Sequence, residues 1–363
     1  MNIDMKRKIY FKKMMALQML LGIGLVFGAE AQNQFIIQNG SSAALFSTFQ
    51  DALDNAVNGD TLYLPGGPIS GDYSIDKEVH IVGAGYDPNF TTATQKTNFS
   101  GKLTLVTGAS NSSITGIEVV NIYFGTNASN QTISNITISR SYITSLLSLS
   151  YNGSAENTAG DYLIKECILN NVQGGYTNNV TISNSIIRDR VYYFDKSTTV
   201  FQNNIFHYYY SANPSGSFRV LQSISNTLFA NNIFMSYTGW IPFSGVNNSL
   251  FSNNIFYPSS SIMDLVASNN DGFGNYFSEN NTSTFVAVSG TGFSFTYDYH
   301  LLPGSVGING GTDGTDIGIY GGNYPWKDGG LPFNPHIDNE NISILLDSAG
   351  LLHVEVQVTA QDN

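Results

Sequence analysis

The sequence predicts an all-β fold: a right-handed parallel β-helix solenoid with an N-terminal capping helix and a C-terminal β extension. Three observations carry this expectation. A strand–bend–strand phrase recurs through the middle of the chain at uneven intervals. Only 12% of the residues are charged, 13% are aromatic and 36 are Gly, a composition that disfavours both disorder and helices. No helical period runs through the repeats.

The first element is a leader. Lys6, Arg7, Lys8, Lys12 and Lys13 precede an uncharged apolar run from Met14 to Phe27, and Ala29-Glu30-Ala31 has a small-x-small pattern. Residues 1–31 are therefore expected to be a signal peptide, with the mature chain starting at Gln32. The apolar run is short for a span of ~20 residues, so no membrane insertion is expected after cleavage. The expected location is extracellular or at the cell surface, with the periplasm open.

Removing the leader takes away five of 15 basic and two of 27 acidic residues, leaving 10 positive against 25 negative charges, a net −15. Such a surface repels nucleic acid and anionic membranes, and neither is expected as a partner. It also repels anionic polysaccharides unless a cation bridges the two. Cys167 is the only cysteine, so stability must come from core and hydrogen bonds rather than disulfides. The oligomeric state stays open.

Residues 32–322 read as the solenoid. Leu45, Phe46, Phe49, Ala52, Leu53, Ala56 and Val57 form an amphipathic stripe, predicting a helix over 44–57 that ends at Asn58-Gly59. It would cover the first coil and protect an open β edge. Thr61 to Leu64 and Val79 to Val82 read as the opening strands, and Gly83-Ala-Gly85 as a turn.

The phrase itself runs from Ile136-Thr-Ile-Ser-Arg-Ser-Tyr-Ile143 to Ser249-Leu-Phe-Ser-Asn-Asn-Ile-Phe256, with a decayed copy at Gly274-Asn-Tyr-Phe277. Alignment gives one apolar column of Ile138, Ile164, Ile182, Phe201, Phe229 and Phe251. A second holds Ile143, Leu169, Ile187, Phe206, Phe234 and Phe256. Successive copies are 26, 18, 19, 28 and 22 residues apart. A fixed unit with variable loops fits coils stacked ~4.8 Å apart, each burying its apolar face on its neighbours. Between the columns lie Asn184-Ser185, Asn203-Asn204, Asn231-Asn232 and Asn253-Asn254. Asn tolerates a left-handed bend, and its amide can bond the equivalent amide one coil away. Asn184, Asn203, Asn204, Asn231, Asn232, Asn253 and Asn254 are thus expected to form a structural ladder, with the inward-facing member of each pair left open.

Residues 323–363 form a Pro/Gly-rich stretch and a β-hairpin, with Ile342 to Leu346 and Leu351 to Val358 joined across Asp347-Ser-Ala-Gly350. A cap on the last coils is the favoured role, and a secretion tag the rival one.

Asp51-Ala-Leu-Asp-Asn-Ala-Val-Asn-Gly-Asp-Thr-Leu-Tyr-Leu-Pro-Gly66, followed by Lys77-Glu-Val-His-Ile-Val-Gly-Ala-Gly85, resembles the opening of secreted bacterial pectin-lyase-like β-helix proteins. Tyr299-His-Leu-Leu-Pro-Gly-Ser-Val-Gly-Ile-Asn309 and Gly314-Thr-Asp-Ile-Gly-Ile-Tyr-Gly-Gly322 resemble their closing segment. An extracellular polysaccharide is a candidate partner; the resemblance implies the fold and is weak for function. It does not extend to the acidic pairs, Gly-His-Gly or Arg-x-Lys segments of the pectin-degrading enzymes, and the fold hosts many functions.

Candidate chemistry is sparse. Arg188-Asp189-Arg190 is the best catalytic segment: on a strand, Arg188 and Arg190 would share a face and meet a sugar carboxylate together. A solvated loop with surface ion pairs explains the same residues. His207 has no carboxylate partner at a telling spacing. Tyr192, Tyr208, Tyr210 and Trp240 are candidates for stacking on sugar rings, set against the plain β preference of aromatics. Asp313 and Asp316 sit in a Gly-rich loop and could hold calcium, the only cofactor indicated, although a turn explains them as well. The leading expectation is a non-catalytic secreted or cell-surface protein that binds carbohydrate. The alternatives are a polysaccharide lyase or glycoside hydrolase with an unfamiliar site, and a structural, adhesin-like surface protein.

Overall fold

The computed structural model describes residues 34–126, 132–150, 156–195, 198–208, 220–236, 243–258, 269–290, 292–343 and 345–360. The expected signal peptide lies outside the described residues.

The chain is all-β, a parallel β-solenoid of about 8 turns. Among the described residues, each repeat sends its first strand to a twelve-stranded sheet and its second to a thirteen-stranded one. The register matches the columns of the sequence. Ile138, Ile164, Ile182, Phe201, Phe229 and Phe251 are successive partners in the first sheet. Ile143, Leu169, Ile187, Phe206, Phe234 and Phe256 are partners in the second. Both columns are buried. Where Phe replaces Ile the rings stack face to face: Phe229 on Phe251 at 4.7 Å and Phe206 on Phe234 at 4.4 Å. These spacings match the distance between neighbouring strands.

The two bend residues do different work. The first is left-handed in six coils: φ is 44° at Arg140, 53° at Glu166, 47° at Asn184, 55° at Asn203, 59° at Asn231 and 51° at Asn253. The second faces inward. Asn204 Nδ2 donates to Asn232 Oδ1 at 3.1 Å, Asn232 Nδ2 to Asn254 Oδ1 at 3.0 Å, and Asn254 Nδ2 to Asn275 Oδ1 at 3.0 Å. Each Oδ1 also accepts the backbone N–H of the preceding rung. Each Nδ2 donates as well to a strand carbonyl, of Ile182, Phe201 or Phe229. The buried polar groups of this corner are thereby satisfied. The inner ladder thus contains Asn204, Asn232 and Asn254 and continues to Asn275 of the decayed copy. Asn184, Asn203, Asn231 and Asn253 bond elsewhere, because a left-handed residue turns its side chain away from the core.

The capping helix is shorter than the apolar stripe predicts. It spans Phe49–Asn55, N-capped by Thr48, whose Oγ1 accepts from Asp51 N at 3.1 Å. Ser42–Phe46 is a strand paired antiparallel with Phe35–Asn39. Gly40, at φ 56°, makes the tight turn between them, and the strong cap at Thr48 starts the helix late. Phe49, Ala52 and Leu53 are buried over the first coil, whereas Leu45 and Val57 are 66% and 55% exposed.

A second apolar layer lies outside the second sheet. Ile186, Ile205, Ile233 and Ile255 alternate with core residues and pack under Phe285, Val288, Tyr299, Ile317 and Ile319. Residues 310–332 then form a strap that runs back along the bend corner. Asn253 Nδ2 donates to Gly310 O at 2.8 Å and Asn231 Oδ1 accepts from Thr312 N at 2.9 Å. Asn203 Nδ2 donates to Asp316 O at 3.1 Å, Asn184 Nδ2 to Ile319 O at 2.8 Å, and Arg140 Nη1 to Leu331 O at 3.1 Å. Leu331 and Pro332 end against Gly85 and Gly116 of the first coils, where a Cβ would collide with them. The Pro/Gly-rich stretch is therefore not a cap on the last coils but the end of a strap that reaches the first ones. The donor to Leu331 O is Arg140, in an early coil.

The terminal hairpin pairs His336–Ile342 with Val354–Thr359, farther from the turn than the sequence predicts. Leu345, Leu346, Leu351 and Leu352 lie in the connection and are exposed.

Candidate ligand cleft

Three segments far apart in sequence meet beside the strap. Tyr86 to Phe90 follows the opening strands. Residues 293–300 come from the outer cover. Residues 320–329 come from the strap. Between them is a cleft of about 250 Å³.

Asp298, His300, Tyr320 and Asp328 form a connected set. His300 Nδ1 is 2.7 Å from Asp298 Oδ1, which also accepts from His300 N at 3.0 Å. The His300 ring stacks on Tyr320 with centroids 3.8 Å apart and planes at 17°. Tyr320 Oη donates to Asp328 Oδ1 at 2.7 Å. Asp87 lies opposite the strap and accepts from Asn89 N at 2.8 Å. The lining also includes Phe90, Phe293, Phe295, Tyr297, Tyr299 and Trp326. Phe90 is exposed, and Tyr297 and Trp326 are half-buried.

Environment separates the carboxylates. Burial pushes the Asp87 carboxyl up, and the charge of Asp328 adds to this. Burial acts the same way at Asp298, but the hydrogen bonds from the backbone and ring of His300 outweigh it and hold that carboxyl down. Burial raises the Tyr320 phenol well above its ordinary range, and its bond to Asp328 reinforces the shift. Tyr86 is fully buried at the floor, its phenol also raised by burial, and its Oη has no hydrogen-bond partner among the described residues. No Lys or Arg lines the cleft among the described residues.

The residues singled out from sequence lie elsewhere. Arg188, Asp189 and Arg190 form a bend between strands Ile186–Ile187 and Val191–Phe194, so strand alternation does not put both guanidiniums on one face. Arg188 bonds Tyr142 Oη and lies over the Phe293 ring, 5.3 Å from its centroid, behind the cleft. Arg190 lies 4.9 Å over the Tyr192 ring and bonds Asn171 Oδ1 at 3.4 Å. Burial pushes the Asp189 carboxyl up, against the pull of Arg190 and Arg188. Tyr192 is half-buried beside Gln173. Tyr208 ends a strand that pairs with Ser236, while Tyr210 and Trp240 lie outside the described residues.

Asp313 Oδ1 accepts from Thr315 N and Oγ1, and Asp316 Oδ1 from Asn309 N. Both therefore serve the turn that carries the strap. Among the described residues no group of three or more His, Cys, Asp and Glu side chains is placed to hold a metal ion. Cys167 fills the inward bend position between Ser141 and Ser185, and burial raises its thiol to about 12.

Sequence reasoning missed Asp87, Asp298, His300, Tyr320, Trp326 and Asp328. His300 and Tyr320 fall inside the segments that resemble a solenoid's close. Their meeting depends on a strap whose return path leaves no periodic trace. No protein-family model and no curated protein matches the chain.

Proposed function

We propose that this protein is a non-catalytic, extracellular carbohydrate-binding β-solenoid whose cleft takes a neutral glycan. The supporting observation is the cleft's composition: aromatic rings interleaved with three carboxylates and one His, and no cationic residue. Trp326, Tyr297 and Phe90 offer flat faces for the C–H faces of sugar rings. Asp87, Asp298 and Asp328 accept hydrogen bonds from sugar hydroxyls, and charge-assisted bonds of this kind are the stronger ones. The same carboxylates repel uronic acids, as does the net negative charge of the chain. The resemblance to secreted pectin-lyase-like proteins agrees with export and with a polysaccharide partner, and it supplies no site residues.

A second reading has one specific support. Asp87 and Asp298 line one cleft and their carboxyls are shifted in opposite directions, which is the pattern of an acid and a base in glycoside hydrolysis. A panel of neutral and acidic polysaccharides, scored for binding and for new chain ends, separates the two. Binding of neutral chains without new ends, lost in Trp326→Ala, supports the binding reading. New ends that vanish in Asp87→Asn support the hydrolase. Silence on both counts leaves a structural surface role.

A further inference from the structure

The left-handed bend residues have a role beyond turning the chain. We propose that this outer column is the template on which the cleft is assembled, with Asn184 as the positioning residue for its strap side; the meaning for ligand binding rests on the cleft reading above.

Asn184 is fully buried and projects from the corner into the strap. Its Nδ2 donates to Ile319 O at 2.8 Å and to Gly321 O at 2.6 Å. These carbonyls flank Tyr320, so one amide group fixes the peptide on either side of the residue that stacks on His300 and bonds Asp328. The Ile319 carbonyl accepts a second bond, from Trp326 N at 2.8 Å. The backbone of Trp326 is thus set from the same point. Close packing leaves little freedom for an alternative path: a Cβ on Gly321 would collide with the Asp316 carbonyl. The other outer residues hold the strap before it reaches Tyr320: Asn253 bonds Gly310, Asn231 bonds Thr312, and Asn203 bonds Asp316 O and Gly318 O.

The left-handed backbone dictates the variants. Asn184 and Asn253 have φ of 47° and 51°, so Gly at either site removes the amide without backbone strain. Each loses one side chain from the same column, buried at Asn184 and half-buried at Asn253, yet only Asn184→Gly frees the carbonyls around Tyr320.

The experiment reads the cleft with and without ligand. The His300 ring-proton resonances, assigned by their loss in His300→Gln, are displaced by the Tyr320 ring beneath them. In Asn184→Gly they are expected to move most of the way to the free-histidine position, while Asn253→Gly leaves them unchanged. Cellohexaose, a neutral probe, is expected to bind Asn184→Gly about tenfold or more weakly, a factor equal to about 1.4 kcal/mol, and Asn253→Gly as wild type. Unchanged His300 resonances in Asn184→Gly, or equal displacement in both variants, would overturn the proposal. If Asn184→Gly does not fold, Asn184→Asp keeps the shape and replaces the donor by an acceptor facing two carbonyls. Failure of both to fold while Asn253→Gly folds would also overturn it, by making Asn184 a folding residue. If wild type ignores cellohexaose, the binding reading loses support while the resonance test still decides the inference.

Discussion

Tyr320 is held between a ring and a carboxylate: it stacks on His300 at 3.8 Å and donates to Asp328 at 2.7 Å. This couples the outer cover, which carries His300, to the strap, which carries Tyr320 and Asp328. Removing the acceptor's charge is expected to weaken that junction. Asp328→Asn should lower the Tyr320 phenol pKa toward, but not to, its ordinary value, because burial is the larger cause and persists. Ultraviolet difference titration of Asp328→Asn against wild type, with Tyr320→Phe to identify the signal, checks this.

The inner ladder should be least tolerant at its middle. Asn232→Ala removes the acceptor for Asn204 N and Nδ2 and the donor to Phe201 O and Asn254 Oδ1. Each buried group left without a partner costs about 1–3 kcal/mol. We expect Asn232→Ala to lose on the order of 3 kcal/mol or more by chemical denaturation. Asn275→Ala, at the end of the run and nearer solvent, should lose less.

Arg140 and Glu166 form a buried pair, Nε to Oε2 at 2.7 Å, in the bend positions that later coils fill with Asn. Breaking such a pair leaves an uncompensated charge, and the cost is about 3–5 kcal/mol. Glu166→Gln should therefore fall in that range. The double variant Arg140→Asn/Glu166→Asn restores the residue that suits the left-handed bend and removes both charges. It should be more stable than Glu166→Gln in the same denaturation experiment.

Stability should depend on pH through His207. The side chain is 1% exposed beneath the outer cover, with no hydrogen-bond partner for either ring nitrogen among the described residues. Burial depresses its pKa from 6.5 to about 4, and the charge of Arg188 adds to this. The unfolded chain binds the proton first, so stability is complete above pH 6.5 and is lost as pH falls toward 4. At 1.36 kcal/mol per unit the loss is roughly 3 kcal/mol. Unfolding free energies measured from pH 8 to pH 4 should fall more steeply for wild type than for His207→Met, with the difference confined to this window.

The solenoid was legible because its information is columnar. Ile138 to Phe251 and Ile143 to Phe256 repeat one environment in coil after coil, and alignment exposes what no single strand shows. The helix boundary was less legible, since Leu45 and Phe46 fit a strand or a helix stripe equally well, and the turn at Gly40 with the cap at Thr48 decides between them. The Asn pair was legible as a bend, but the division of labour between Asn203 and Asn204 depends on a φ value. The cleft was not legible. Asp87, Asp298 and Asp328 lie more than two hundred residues apart at the extremes, and the outer cover and the strap together bring them to one cleft.

The most direct test of the account is calorimetric titration of the chain from Gln32 with cellohexaose and, separately, with an oligogalacturonate of equal length. The account predicts saturable binding of the neutral probe, abolished in Trp326→Ala and weakened in Asp328→Asn, and no heat from the acidic one. Tighter binding of the oligogalacturonate, or binding of either probe that survives Trp326→Ala unchanged, would contradict it.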